Sequence, residues 1–118
     1  MAHIDVAPEK LAIILSLGDE ILSLHSAFHL PYTHIAAVST DPVPEAWFRG
    51  IRIGTNLPGI KTAGTFITDE GTIFYDFHDA GRCLSLDLNH ELYRHVVVEV
   101  DRDQDPEVLA EAIRLHLG

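Results

Sequence analysis

Three basic residues that could bind an anion lie close together in the middle of this chain. Arg49, Arg52 and Lys61 are three of the eight lysines and arginines, and they share a glycine- and proline-rich stretch at residues 49–61. Backbone N–H groups of such stretches can form a concave nest that binds anions. The stretch has neither the Gly-Lys-Ser/Thr pattern that binds phosphates nor the Gly-x-Gly-x-x-Gly pattern that binds dinucleotides. It therefore suggests, at most, binding of a small carboxylate or phosphate.

Two aromatic residues, Trp47 and Phe48, lie beside these cations in a connection that the sequence predicts to run from 41 to 62. Connections of this length are uncommon and are usually either functional or disordered. Because further apolar residues accompany the two aromatic rings, the sequence favours a lid over the sheet or a contact with another subunit. Binding of a small anion is the second alternative, and a disordered loop is the third. Trp47 and Phe48 are the predicted interaction surface.

Eight histidines in a short chain raise the question of a metal site. His25 and His29 are four residues apart in a predicted strand, which separates them by ~13 Å at the rise of a strand. Asp76 and His78 are closer, at ~7 Å by the same rise, and could share an ion with a cross-strand partner. A zinc site normally needs three or four protein ligands, and the sequence identifies no third ligand. No metal and no cofactor are therefore predicted.

A nucleophile could be supplied by Cys83, which is the one cysteine and lies across a tight turn from His78. A free cysteine is more often a small buried hydrophobe, and that interpretation is favoured here. Neither the Gly-x-Ser-x-Gly nor the His-Glu-x-x-His motif occurs. No catalytic residue is predicted, and an unrecognised hydrolase or metalloenzyme is the weakest alternative.

Composition narrows the possible partners and the location. Eighteen acidic and eight basic residues give a formal charge of −10, which repels nucleic acids and anionic membrane surfaces. No apolar run approaches the roughly 20 residues of a membrane span, and the N-terminus lacks the features of a signal peptide. One cysteine cannot form an internal disulfide, so a reducing cytoplasm is expected. The 118 residues suit a single domain, 1–118, with a core at about 10–117.

The elements that would position these residues are predicted to be mainly β-strands. Apolar residues recur at every second position, which is typical of strands. Residues 18–20 form a hairpin turn between the first two strands, and short turns at 70–71 and 80–81 join the later strands as a meander. Valines at 96–98 indicate burial on both faces of the last strand. The predicted strands cover residues 11–17, 22–30, 34–40, 64–68, 72–78, 83–88 and 93–100.

A helix ends the predicted fold. Asp105 is a candidate N-cap, Pro106 fits the first helical position, and Glu111 and Arg114 can form an i,i+3 pair. An amphipathic helix must bury its apolar stripe, so it is predicted to cover one end of the sheets. The predicted stripe consists of Val108, Leu109, Ala112, Ile113 and His116.

The segment RIGTNLPG at 52–59, with GTF at 64–66 and TIF at 72–74, resembles bacterial pleckstrin-homology-like (PH-like) domains. The resemblance implies a mainly β fold, an antiparallel seven-stranded barrel or sandwich capped by a C-terminal helix. This superfold hosts lipid binding, peptide binding and scaffolding. Lipid-binding members carry basic residues on the first hairpin, where this chain has Asp19 and Glu20, so phosphoinositide binding is disfavoured. The expected function is a noncatalytic binding or assembly module that contacts a partner protein or a second copy of itself, as a homo-oligomer.

Overall fold

The computed structural model describes residues 2–15, 27–41, 51–57, 61–68, 71–77 and 79–117. The described part is mainly β, with one α-helix, α1 (Pro106–Leu117), and two short 3₁₀ turns at Tyr32–His34 and Ala80–Arg82. Its strands are β1 (Ala2–Val6), β2 (Lys10–Leu15), β3 (Ala27–Pro31), β4 (Ile35–Ser39), β5 (Ile51–Leu57), β6 (Lys61–Thr68), β7 (Gly71–Phe77), β8 (Cys83–Leu88) and β9 (His95–Glu99). The prediction of a mainly β fold with a C-terminal helix is confirmed.

The strands form two sheets. The smaller has the antiparallel order β1-β2-β3, and the larger has the order β4-β8-β9-β7-β6-β5. Each of the seven predicted strands has its counterpart, and the antiparallel pairing of the first two is confirmed as β2 with β3. The predicted turn at 18–20 lies outside the described residues. The sheets do not close into a barrel, so the sandwich is the alternative that matches.

The predicted meander is wrong at one place, because β9 lies between β7 and β8 and runs parallel to β7. The sequence predicts a hairpin turn at 80–81. Instead, Ala80–Arg82 forms a 3₁₀ turn, and the next strand, β8, is separated from β7 by β9. All five residues of β9 are buried, as the run of valines predicted for its middle. A strand with two apolar faces is stable only inside a sheet.

The predicted connection at 41–62 is also wrong in part, because β5 occupies 51–57 and β6 begins at Lys61. β5 pairs with β6 along its whole length, from Ile51 opposite Ile67 to Leu57 opposite Lys61. Its glycine and asparagine suggested a loop, but the main-chain ladder to β6 outweighs their low strand propensity. β1 was not predicted, although Ala2 and Ile4 alternate with polar residues and are buried.

The main core lies between the two sheets and under α1, which packs mainly on β4 and also contacts β1 and β8. Aromatic and branched side chains fill it, including Phe74, Leu84, Leu86 and Val98, all fully buried. Ala2 forms a parallel bridge with Val100, which joins the edge of the small sheet to the end of β9. A second, smaller cluster on the other face of the large sheet contains Ile73, Tyr75, Cys83 and Val97.

The predicted apolar stripe of α1 is partly wrong. Ile113 is fully buried as predicted, but Val108 is 64% exposed, and Ala110, which was not predicted, is completely buried. Tertiary contacts with β4 and β1 therefore rotate the buried face relative to the predicted one. The predicted N-cap is confirmed, since Asp105 Oδ1 accepts a hydrogen bond from the Glu107 N–H at 2.9 Å. The Glu111–Arg114 pair is confirmed at 3.5 Å.

At its C-terminal end α1 meets the Tyr32–His34 turn that links the two sheets. The Tyr32 ring stacks on His116 with centroids 4.2 Å apart, and its hydroxyl donates to the Ala7 carbonyl at 2.6 Å. Burial, together with the Asp5 carboxylate, raises the pKa of Tyr32. In the described part of the chain, no helix is long and apolar enough to span a membrane.

Candidate functional site

The residues predicted to bind a ligand or a partner are only partly described. Trp47, Phe48 and Arg49 lie outside the described residues. Arg52 is in β5 opposite Phe66, whereas Lys61 pairs with Leu57 at the other end of the same hairpin. Five residues of strand separate Arg52 from Leu57, which corresponds to ~17 Å. This backbone separation does not favour a shared small anion, and the 49–61 site stays a prediction.

The most distinctive exposed feature of the described chain is the connection between β8 and β9, residues 88–94, which we name the 88–94 segment. Its ends are closed by a hydrogen bond from Leu88 N–H to the Arg94 carbonyl at 2.8 Å. Asn89 N–H donates to the His34 carbonyl at 2.9 Å, and Arg94 N–H donates to the Thr72 carbonyl at 2.7 Å. The main chain of the segment is therefore held from two sides.

One side-chain contact adds to this anchoring. His34 Nδ1 and Glu91 Oε2 are 2.5 Å apart, with both side chains partly buried. Next to Glu91, His90 has φ 60°, a left-handed conformation that few residues other than glycine adopt. Its ring lies 5.7 Å from the ring of His34. Strained backbone of this kind persists only where the surroundings hold it, and it occurs often at binding sites.

A depression lies between β3 and the 88–94 segment, and we name it the β3 groove. It has a volume of about 190 Å³ and is lined by residues 27–30 together with Leu88, Glu91, Leu92 and Tyr93. The Leu92 side chain is 81% exposed at its rim. Within the described ranges, β3 pairs with β2 alone and is the last strand of the small sheet. The groove thus combines an apolar wall with a strand edge.

Aromatic rings form a rigid base beneath the β3 groove. Phe28, Phe74 and Tyr93 meet edge to face, with centroids 4.9 Å apart for the two phenylalanines and 5.6 Å for each contact with tyrosine. Such mutual contacts add stability beyond burial alone. The base joins β3 to β7 and to the 88–94 segment, so it holds the two walls of the groove together.

A second depression lies on the opposite flank of the 88–94 segment, and we name it the Arg94 pocket. Its volume is about 340 Å³, and it is lined by Gly71, Thr72, residues 88–92 and Arg94. Gly71 has φ 134°, and a Cβ atom there would lie 2.9 Å from the Arg94 Cβ. Gly71 therefore permits both the backbone turn and the close approach of Arg94. Arg94 Nη1 donates to the Leu88 carbonyl at 3.3 Å.

The predicted inertness of Cys83 agrees with its surroundings. Burial raises the pKa of the Cys83 thiol to about 12, and the carboxylates of Glu99, Asp79 and Asp76 add to the effect. A thiol in this state is a poor nucleophile. Its hypothetical partner His78 lies outside the described residues. Cys83 lines neither depression.

One further constellation invites a catalytic interpretation. Ser85, Asp87 and His95 share one face of the large sheet, and His95 Nδ1 lies 2.6 Å from Asp87 Oδ1. Ser85 and His95 are buried, and none of the three lines either depression. A substrate would have no access to the serine through these openings, so the contact is best interpreted as a structural pair.

For metals, the described residues contain no group of three His, Cys, Asp or Glu side chains that could hold an ion. His29 is exposed in β3, and Asp76 is buried in β7, whereas His25 and His78 lie outside the described ranges. One member of each proposed pair, His25–His29 and Asp76–His78, is therefore not described, and both hypotheses stay untested.

Sequence reasoning gave no role to the 88–94 segment, most of which lies between the predicted strands 83–88 and 93–100. One signal was available, namely Leu92, an apolar residue next to Asn89, His90 and Glu91. Arg94 gave no signal, since its importance depends on Gly71, which is distant in sequence. Comparisons of the chain with protein-family models, with curated proteins and with solved structures gave no match.

Proposed function

We propose that the chain is a noncatalytic protein-binding module, and that the β3 groove receives an extended segment of a partner protein. The exposure of Leu92 beside a strand edge carries the proposal. An incoming strand can pair with such an edge through main-chain hydrogen bonds, while a neighbouring pocket selects its side chains. Burying a leucine side chain contributes roughly 1.5–3 kcal/mol, so Leu92 is a suitable anchor.

The chemistry of the partner segment follows from the groove and from the charge of the chain. Leu92 and Tyr93 favour an apolar side chain on the partner. The formal charge of −10 favours basic residues on either side of it, because opposite charges speed association and select the partner. We therefore propose an extended segment in which an apolar residue is flanked by lysines or arginines.

The resemblance to bacterial PH-like domains belongs to the same proposal. A mainly β sandwich with a C-terminal helix is compatible with that family, and the superfold includes members that bind peptides. A cytoplasmic location is proposed from the single, unpaired Cys83. Self-association through the same groove is the competing use of this surface.

The proposal is tested by selecting random short peptides displayed on phage and measuring the affinity of the selected peptide by fluorescence anisotropy. Leu92→Asp places a charge at the rim of the groove. The matched control is Leu115→Asp, because Leu115 is 78% exposed on α1, which does not line the groove. We expect Leu92→Asp to weaken binding about tenfold or more, and Leu115→Asp to leave it unchanged.

Hydrogen exchange separates strand addition from looser docking. Amides at 27–30 should exchange more slowly when the peptide is bound, because an edge strand then gains a partner. Equal affinity of the two aspartate variants, or selection of acidic peptides, would count against the proposal. If light scattering shows a dimer, and Leu92→Asp makes it monomeric, the occupant of the β3 groove is a second copy of the chain and not a partner peptide.

A further inference from the structure

The guanidinium of Arg94 makes fewer contacts than those of Arg82 and Arg114. The Arg94 guanidinium makes one hydrogen bond within the described residues, from Nη1 to the Leu88 carbonyl at 3.3 Å, and forms no ion pair with a described carboxylate. Arg114 pairs with Glu111, and Arg82 Nη2 donates to two main-chain carbonyls. A guanidinium has five N–H donors, so most of the donors of Arg94 remain available at the pocket.

The position of Arg94 is fixed by the surrounding backbone. Its N–H is bonded to the Thr72 carbonyl at 2.7 Å, and its Cβ lies where a side chain at residue 71 would otherwise be. These contacts fix the backbone and Cβ of Arg94 beside the pocket, and the Nη1 bond to the Leu88 carbonyl orients its guanidinium. His90, with its φ of 60°, also lines the pocket.

We propose that the Arg94 pocket binds a small molecule through its carboxylate group, independently of the β3 groove. The planar guanidinium can donate two parallel hydrogen bonds to a carboxylate. Thr72 and Asn89 supply neutral polar groups beside it, and Leu88 and Leu92 supply apolar wall. A volume of about 340 Å³ falls within the range of small-molecule sites.

The charges around the pocket favour a monoanionic carboxylate over a phosphate. Glu91 also lines the pocket, although its Oε2 already contacts His34 Nδ1. The chain as a whole carries a formal charge of −10. A single guanidinium balances one negative charge, and a doubly charged phosphate would be repelled more strongly by Glu91 and by the rest of the protein.

The test is a titration of the ¹⁵N-labelled full chain with two monocarboxylates, sodium acetate and sodium butyrate, at millimolar concentration, with sodium chloride at equal ionic strength as the reference. We expect shifts of the amides at 71–72 and 89–94 with both carboxylates and not with chloride. Arg94→Gln should weaken binding about tenfold or more, because a charge-assisted bidentate contact is lost. Arg94→Lys should retain part of the affinity, since it keeps the charge but loses the planar fork.

Arg102→Gln is the matched control, because Arg102 is exposed and lines neither depression. It should bind the carboxylates as the parent chain does. Absence of shifts at 71–72 and 89–94, or equal losses in Arg94→Gln and Arg102→Gln, would overturn the proposal. Larger shifts with inorganic phosphate than with butyrate would overturn its assignment to carboxylates. None of these outcomes depends on peptide binding in the β3 groove.

Discussion

Two arginines near the opposite ends of β8 differ in what their guanidinium groups bind. Arg82, immediately before the strand, donates from Nη2 to the carbonyls of Asp101 at 2.9 Å and Gln104 at 2.8 Å. Arg94, shortly after the strand, makes a single bond to the Leu88 carbonyl and borders a pocket. Arg82 thus stabilises the fold through main-chain contacts, whereas Arg94 retains N–H donors that can bind a ligand.

The surroundings of Arg82 explain why that end of the strand is structural. The Gln104 side chain accepts from Ile4 N–H at 2.9 Å and donates to the Ile4 carbonyl at 2.7 Å, which ties the approach to α1 to β1. Asp105 then caps α1. The Nη2 group of Arg82 and the side chain of Gln104 are therefore used in contacts within the chain. The comparison therefore separates a structural end from a binding end.

The largest effect is expected inside the structural end, from truncation of the buried face of α1. Ile113→Ala should lower the free energy of unfolding by about 3 kcal/mol, because it leaves a cavity in a fully packed core. Val108→Ala is the control and should change it by less than about 0.5 kcal/mol, since exposed sites tolerate substitution. Urea unfolding measures both. Similar losses in the two variants would mean that the buried face of α1 is the one predicted from the sequence.

A smaller loss is expected at the binding end, from Gly71→Ala. Its positive φ strains any residue with a side chain, and the new Cβ would press on the Arg94 Cβ. We expect a loss of about 2 kcal/mol in thermal or urea unfolding. In Gly81→Ala the added Cβ meets only the tip of the Asp79 side chain, and it should cost less than about 1 kcal/mol. An unchanged stability of Gly71→Ala would remove the argument that Gly71 positions Arg94.

The two arginines themselves provide the direct test of the comparison. Arg82→Met leaves two main-chain carbonyls without their donor and should lower the free energy of unfolding by about 1–2 kcal/mol. Arg94→Met removes one long hydrogen bond of an exposed side chain and should cost less than about 0.5 kcal/mol. The measurement is urea unfolding of both variants under the same conditions. A reversed order would contradict the assignment of structural and binding ends.

The smallest effect near neutral pH concerns Cys83, at the structural end. Its pKa is raised to about 12 from the ordinary value of 9.0, so the folded chain keeps the thiol proton over a range in which the unfolded chain releases it. The resulting contribution to stability is complete below pH 9 and is lost as the pH rises towards 12. At pH 8, alkylation of the native thiol should be much slower than in denaturant. Equal rates in the two states would show that the thiol is exposed.

The predictable part of this fold follows from local patterns. Alternating apolar residues identified seven strands, and Asp105 identified the start of α1, because these signals depend on neighbouring residues alone. The pairing of β7 with β9 depends instead on which strands can be buried on both faces at once. β5 was missed because its ladder to β6 outweighs a composition typical of loops.

The candidate sites were less predictable than the fold. The anion hypothesis was placed on Arg49, Arg52 and Lys61 because they are close in sequence, whereas the Arg94 pocket brings together Gly71 of β7 and Arg94 of the 88–94 segment. Leu92 could have been singled out as an apolar residue in a polar turn. Its position beside β3, the last described strand of the small sheet, could not have been predicted, because residues 27–31 are far from Leu92 along the chain.

By itself, the amino-acid sequence determined that this protein is built mainly from β-strands with a capped C-terminal helix, since side-chain periodicity and capping are local properties of a chain. Only the tertiary structure decided the order of the strands, the buried face of α1 and the use of each arginine. These features depend on which distant residues share space, through burial of apolar surface and satisfaction of main-chain hydrogen bonds, and neither can be deduced from spacing along the chain.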